Sequence, residues 1–316
     1  MDKYLDKDTI DQILSLPHVV GVGYGLKERA GQLTGEEAIV VMVSQKVPES
    51  QLAHTHVVPK QLGGKVSDVI EVGQIKAREA QTSLVSDTRG ADKSRKSRWR
   101  PAPGGVSIGH YKITAGTLGT VVYDKHTGKR LILSNNHVLA NSTNGHDHRA
   151  KIGDPILQPG PLDGGTIKND TIARLYRFVP LKEKSYNVVD AAVARPLRRG
   201  LVVPYILGIG TVKEATHARL GMEVKKSGRT TGLTHSRIRA TNAIISVDYD
   251  GRILKFKHQI VADVFDKGGD SGSLVVSEHN HAVGLLFAGS DRYTFINPIH
   301  EVLELLHVKL RKPCVC

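Results

Sequence analysis

The spacing of apolar residues predicts one helix at the front, then a long succession of short strands, then a second helix. Ile10, Ile13 and Leu14, with Leu5 before them, recur at helical period behind capping Asp and Thr residues, and Pro17 closes that segment. "HVVGVGYGLKE" and "EEAIVVMVSQKV" are β-rich and flank "RAGQLTG", which has the glycines and polar residues of a hairpin connection; "VSDVIEVG" predicts a third strand. From residue 101 onward, "TLGTVVYD", "RLILSNN", "VVDAAVA", "MEVKKSG", "AIISVDYD", "QIVADVF", "SLVVSE" and "AVGLLFAGS" alternate with turn signals. Many short strands at this interval imply a β-sandwich or a pair of barrels. In "NPIHEVLELLHVKL" the period changes again, and Ile299, Val302, Leu303, Leu305 and Leu306 form a helical stripe that seals the end.

Between these patterned regions the periodicity is lost. Residues 76–100 hold eight Lys or Arg against three Asp or Glu and no apolar repeat, which predicts a basic flexible linker. The expected organisation is therefore a small α/β domain over residues 1–75, a linker over 76–104 and a β domain over 105–316. The front domain is expected to regulate, to assist folding as a propeptide does, or to recruit substrate. Exposed, Arg-rich chain is where proteolysis concentrates, so cleavage between residues 89 and 100 would release it.

Composition narrows the class. The chain has 316 residues, 40 % of them hydrophobic and 5 % aromatic, with 32 glycines, which suits a turn-rich globular protein rather than a disordered one. The first twenty residues are charged every few positions, unlike a secretory signal, and no window has the apolar length of a membrane span. A cytoplasmic protein without membrane attachment is expected. Its two cysteines, Cys314 and Cys316, stand together in the last three residues, so no disulfide framework is available. The net charge of +13 raises the alternative of nucleic-acid binding through the linker, with Trp99 between Arg98 and Arg100 as a stacking group. "HTH", "HDH" and "HNH" each offer two histidines, too few for a coordination shell, so no metal or other cofactor is expected. "GVGYG" lacks the spacing and the following helix of a dinucleotide loop.

The chemistry concentrates in "DKGGDSGSLVV", where Gly268, Gly269 and Gly272 surround Asp270 and Ser271 ahead of an apolar strand. Glycines permit sharp turning and close approach, which suits a nucleophile beside an anion hole. A serine hydroxyl needs a base, and the base an orienting group. Of 15 histidines, His137 in "LILSNNHVLA" follows a rigid apolar strand, whereas His146, His148, His279 and His281 sit in polar loops. Asp190 is embedded in "NVVDAAVA", and a carboxylate among apolar residues is costly unless paired, so it is the candidate orienting acid.

"SNNHVL", "VDAAVA" and "GGDSGSLV", in the order His, Asp, Ser, resemble the trypsin/chymotrypsin-like serine proteases, and more closely their bacterial intracellular branch. The resemblance spans about residues 101–305. It implies a mainly β fold of two antiparallel six-stranded β-barrels with a C-terminal helix, behind the small α/β N-terminal domain. It further implies a serine endopeptidase acting on protein or peptide substrates. Ser271 would be the nucleophile, His137 the general base, Asp190 its orienting partner, and the N–H groups of Gly269 and Ser271 the oxyanion hole. Substrate would pair with the strand carrying Phe287, Ala288 and Gly289. The pocket floor would come from Asp263, Phe265 or Asp266, apolar preference following from Phe265 and basic preference from Asp266.

There are departures from the family pattern. Asn135 and Asn136 replace small residues before the histidine. Phe287 stands where a serine hydroxyl often supports the orienting Asp, which leaves a catalytically inert binding module as the competing reading. Asp270, which in familiar relatives meets a newly cut N-terminus, is expected to find an internal cation or backbone donors.

Overall fold

The computed structural model describes residues 1, 3–29, 32–77, 80 and 93–311. The Cys-x-Cys tail and residues 89–92 of the expected cleavage region lie outside them. The front segment contains α1 (Lys7–Ser15), β1 (Val19–Arg29), β2 (Gln32–Val43), β3 (Gln61–Leu62) and β4 (Lys65–Glu71). Asp6 caps α1 by accepting from the Thr9 N–H at 2.9 Å, and Ile10 and Ile13 are buried against Val22, Ile39 and Val41.

The next strands are β5 (Ala102–Gly104), β6 (Ser107–His110), β7 (Gly116–Thr117), β8 (Thr120–Asp124) and β9 (Arg130–Ser134). After α2 (Asn136–Leu139) come β10 (Pro155–Leu157), α3 (Ile167–Asp170), β11 (Thr171–Phe178), β12 (Ala192–Pro196) and β13 (Val202–Ile206). Hydrogen bonds order the first sheet β20-β8-β9-β12-β11-β10-β6-β7, where β20 (Val308–Lys309) is an edge strand that returns from the C-terminus. Only Leu118 and Gly119 separate β7 from β8, so the sheet curls back on itself around Val106, Ile108, Val121, Ile132, Ile156 and Ile172.

The second set is β14 (Glu223–Gly228), β15 (Gly232–Tyr249), β16 (Arg252–Asp263), β17 (Leu274–Ser277), β18 (Ala282–Gly289) and β19 (Tyr293–Pro298). Their order β14-β17-β18-β19-β16-β15 closes through a β14–β15 pairing, giving a six-stranded barrel filled by Val224, Ile238, Ile260, Val275, Leu286 and Ile296. Closure removes the free edges that an open sheet would expose. α4 (Ile299–Leu305) packs Ile299 and Val302 between the barrels with Leu133, Val193, Leu274 and Leu285. The fold is thus mainly β, two barrels and a C-terminal helix. Among the described residues no helix is long and apolar enough to cross a membrane.

β15 explains where the front segment goes. Its 18 residues outrun β14, which pairs only up to Arg237, and bulges between Ile238 and Ile245 bend it around the barrel. The uncovered edge is taken by β1, in antiparallel register from Gly21↔Ile245 to Gly25↔Ala240. β2 pairs with β1, and β4 runs parallel to β2, extending the sheet to ten strands.

The residues read as a flexible linker are partly tied down, which corrects that expectation for them. Lys76 pairs in an antiparallel bridge with Gly289, and Ala80 is buried. Trp99 packs on the first-barrel core, donates its indole N–H to the Ser94 carbonyl at 3.0 Å and carries Lys93 Nζ 4.9 Å from its ring centroid. The ring expected to stack on bases is therefore engaged by the protein. Gln158 clamps this stretch, accepting from the Trp99 backbone N–H at 2.8 Å and the Arg100 guanidinium at 2.5 Å.

Candidate active site

β9 ends at Ser134 and the chain turns at once into the single turn of α2, so His137 projects from a stiff junction. The two preceding asparagines hold that junction. Asn135 Nδ2 donates to the Asp190 carbonyl at 2.7 Å; Asn136 Nδ2 donates to the carbonyls of Thr143 and Val179, while its Oδ1 accepts the Thr143 N–H. Both asparagine side chains are accommodated because each finds backbone partners.

Asp190 lies just before β12 and is fully buried. Its Oδ2 sits 2.5 Å from His137 Nδ1 and accepts the Tyr249 hydroxyl at 2.6 Å, while Oδ1 accepts the His137 backbone N–H at 3.1 Å. A carboxylate only accepts, so the ring donates from Nδ1, which leaves the lone pair of the neutral imidazole on Nε2. Nε2 is buried and has no hydrogen-bond partner among the described residues. Asp190 also reaches the second barrel through its backbone N–H, which donates to Asn297 Oδ1 at 2.9 Å.

Tyr249, at the end of β15, is the residue that sequence reasoning missed. Phe287 cannot offer Asp190 a hydroxyl and, rather than lining a substrate site, is fully buried with its ring centroid 4.8 Å from that of Phe256. Tyr249 supplies the hydroxyl from another strand, with its ring edge-on to His137 at 6.1 Å. Burial, then the Asp190 charge, push its phenol well above the usual range.

The Ser271 loop is held by both barrels. Thr117 of β7 donates its N–H to the Ser271 carbonyl at 2.8 Å and its hydroxyl to the Gly269 carbonyl at 2.9 Å, whereas the Gly272 N–H reaches Leu286 of β18 at 2.9 Å. Positive φ angles fall at Gly269 and Gly272 (93° and 91°) and not at Gly268. A side chain at 272 would meet Ser134 Oγ at 2.0 Å, so this glycine lets the serine loop sit against the end of the strand that carries His137. Within the loop the N–H groups of Asp270, Gly272 and Ser273 have backbone acceptors; that of Gly269 has none among the described residues.

Asp270 finds both kinds of partner expected for it. Lys226 Nζ lies 3.1 Å from Oδ2 with both side chains wholly inaccessible, and Thr231 Oγ1 (2.6 Å), Lys267 N (3.0 Å), Thr230 N (2.8 Å) and Thr231 N (3.2 Å) donate to the same carboxylate. Burial holds the Lys226 ammonium below its usual range, opposed by the Asp270 charge. Behind the loop, Arg229 grips Asp163 through two nitrogens at 2.5 and 2.6 Å and donates its backbone N–H to Thr117 Oγ1.

The three pocket-floor candidates separate. Phe265 is packed in the second-barrel core with Ile238 and Ile260. Asp263 pairs at the surface with Arg239 Nε at 2.6 Å. Asp266 is buried, accepts the Thr294 hydroxyl and faces Gly289, where a Cβ would come within 2.8 Å of its Oδ2. Ala288 pairs with Phe295 inside the sheet and is buried. The structure therefore brings together His137, Asp190 and Tyr249, sets the Ser271 loop against Ser134, and puts Asp266 beside Gly289; it places Phe265, Phe287 and Asp263 elsewhere.

No protein-family model and no curated protein matches the chain. Among solved structures it is similar to Thermobifida fusca Protease A, at 18 % identity over 67 % of this chain and 98 % of that one, with a TM-score of 0.49. It is also similar to a Nocardiopsis protease, at 20 % identity over 66 % of this chain and 98 % of that one (TM-score 0.47). Cellulomonas bogoriensis chymotrypsin matches at 21 % identity over 67 % of this chain and 98 % of that one (TM-score 0.47). At such scores these likenesses carry no functional argument, which rests on the geometry of this chain's own residues.

Proposed function

We propose that this protein is a serine endopeptidase that hydrolyses peptide bonds through Ser271, His137 and Asp190 by way of an acyl-enzyme. The observation that carries this reading is the imidazole of His137, whose Nδ1 is committed to a fully buried carboxylate and whose Nε2 holds an unused lone pair. A ring so arranged takes a proton from a neighbouring hydroxyl and later returns it to a leaving amine, while Asp190 fixes the tautomer and stabilises the imidazolium. The N–H groups of Gly269 and Ser271 would hold the oxyanion, each donor contributing about 3 kcal/mol to the transition state. The Tyr249 hydroxyl on Asp190 removes the reason for reading the chain as an inert relative.

Asp266 supports a preference for a basic residue before the cut, because a carboxylate beside a glycine wall suits a long cationic side chain. Lys226 on Asp270 supports a nucleophile loop ordered by an internal cation rather than by a newly cut terminus. Fluorophosphonate labelling tests the chemistry: the wild type is expected to label, Ser271→Ala and His137→Ala not. An unlabelled wild type would overturn the reading. With labelled enzyme, Asp266→Asn should lower kcat/KM for Arg-containing peptides about tenfold to a hundredfold relative to apolar ones, as expected for losing a charged hydrogen-bond partner.

A further inference from the structure

In the first barrel, at the strand ends remote from the catalytic histidine, a cavity of about 320 Å³ opens beside β8, β9 and β12. Its wall carries four cations: Lys129 and Arg130 from the turn into β9, Arg195 from the end of β12, and Arg199 from the short turn Arg199–Leu201. Tyr123 of β8 and Pro196 supply its apolar part. The register explains the grouping. Tyr123 stands opposite Arg130, and residues directly opposite in an antiparallel pair share one face of the sheet. On its other side Tyr123 is in register with Lys309 of β20, so a further cation stands one strand away.

No carboxylate lines this cavity, and none of the four cations has a carboxylate partner among the described residues. Arg195 holds its guanidinium 5.5 Å from the Tyr176 ring centroid, a contact that leaves its charge uncancelled. Asp124, the acid next to Tyr123, is committed to the turn itself. Its Oδ1 accepts the N–H groups of His126 (3.1 Å) and Thr127 (2.8 Å) and the Thr127 hydroxyl (2.9 Å), and its Oδ2 lies 3.2 Å from the Arg177 guanidinium. Strand alternation sends these neighbours to opposite faces, Tyr123 to the cavity and Asp124 away from it. Arg130 is half-buried, and its Nε has no hydrogen-bond acceptor among the described residues. Like charges gathered on a concave wall repel one another and focus a positive field into the space they enclose. An anion entering that space relieves the repulsion and offers the Arg130 guanidinium an acceptor.

We propose that this cavity is a binding site for a compact oligophosphate, a short chain of linked phosphate groups. Guanidinium forks match phosphate oxygens in pairs, and three arginines with one lysine balance the several charges of such a chain. The volume lies at the small end of the range for small-molecule sites, about 300–1,000 Å³, and suits a compact ligand rather than the long basic groove that tracks a nucleic-acid backbone. β9 and β12 also position the catalytic residues, but at their other ends, where Ser134 pairs with Ala192 close to His137 and Asp190. Arg130 opens β9 and Ser134 closes it, about 13 Å further along the strand, so the ligand binds outside the cleft that holds Ser271. The site stands independently of the endopeptidase reading, because none of its four cations serves the Ser271 chemistry.

Isothermal titration of the full chain with inorganic tripolyphosphate, at about 150 mM salt, is expected to show saturable binding. Arg130→Gln, and Arg195→Gln combined with Arg199→Gln, should each weaken it about tenfold to a hundredfold, as expected for losing charged hydrogen bonds. Lys213→Gln combined with Arg219→Gln removes two exposed cations that lie outside the cavity and should leave the affinity unchanged. Tripolyphosphate should also raise the melting temperature of the wild type and not that of the Arg195→Gln, Arg199→Gln protein, which separates lost binding from lost folding. ATP distinguishes the sources of the chain: affinity equal to that of tripolyphosphate assigns a free oligophosphate, tighter binding one borne by a nucleoside, and either supports the site. Absence of saturable binding, or equal weakening by the cavity and control variants, reduces the cluster to a solvated basic surface and overturns the proposal. A single-stranded oligonucleotide that binds more tightly than tripolyphosphate, and is weakened by the same cavity variants, overturns the compact ligand in favour of a nucleic acid.

Discussion

At the residue scale, the site depends on how many donors one carboxylate can take. Asp190 accepts from the His137 ring, the His137 backbone and Tyr249, which makes a fully buried charge tolerable. Tyr249 touches Asp190 rather than substrate, so Tyr249→Phe should lower kcat about tenfold or more and leave KM unchanged in steady-state assays. The same variant has a pH signature. The folded phenol titrates above the ordinary value of 10.0, so between these values the native state holds a proton that the unfolded chain has lost, and stability falls as pH rises past about 10. Denaturant melts should show the wild type losing its advantage over Tyr249→Phe in that alkaline window and keeping it in full below. His137, Asp190 and Ser271 could be read from the chain because each sits in a distinctive local string. Tyr249 could not, since its partner is 59 positions away and "ISVDYD" reads as any strand end.

At the element scale, β14 shows what strand alternation conveys. Lys225 and Lys226 are adjacent, so one side chain must point inward. Lys225 reaches Glu278 near the surface, and Lys226 is sealed inside with Asp270. Alternation alone puts one of the two lysines inside, but which one, and against what anion, is defined only by the assembled barrel. Removing one partner of a sealed ion pair leaves the other charge uncompensated, at a cost of about 3–5 kcal/mol. Lys226→Met should therefore show a strongly reduced urea midpoint, and the fraction that remains folded should lose fluorophosphonate reactivity as the Asp270 loop relaxes. The barrels were legible because alternation and turn spacing are local, whereas the pairing of β1 with β15 was not. It depends on where β14 stops along an 18-residue neighbour, which only the assembled sheet defines.

At the scale of the whole molecule, that pairing decides what becomes of a severed front segment. β1 is hydrogen-bonded to β15 and the front apolar cluster includes Ile244, so residues 1–77 are held by sheet and core as well as by the covalent chain. A cut made by an added protease at a recognition sequence inserted after Ser86 should leave two pieces that co-elute on size exclusion and separate only in denaturant. Elution as separate peaks in native buffer would show that the β1–β15 ladder does not hold the halves together.

The Lys226–Asp270 pair has a last consequence. Both members lie within the described chain, so the turn that carries Asp270 is held by an internal partner once the second barrel closes. For the endopeptidase proposed above, any delay would then act on access rather than on assembly. Readiness and restraint are then written in different residues, and either can be altered without disturbing the other.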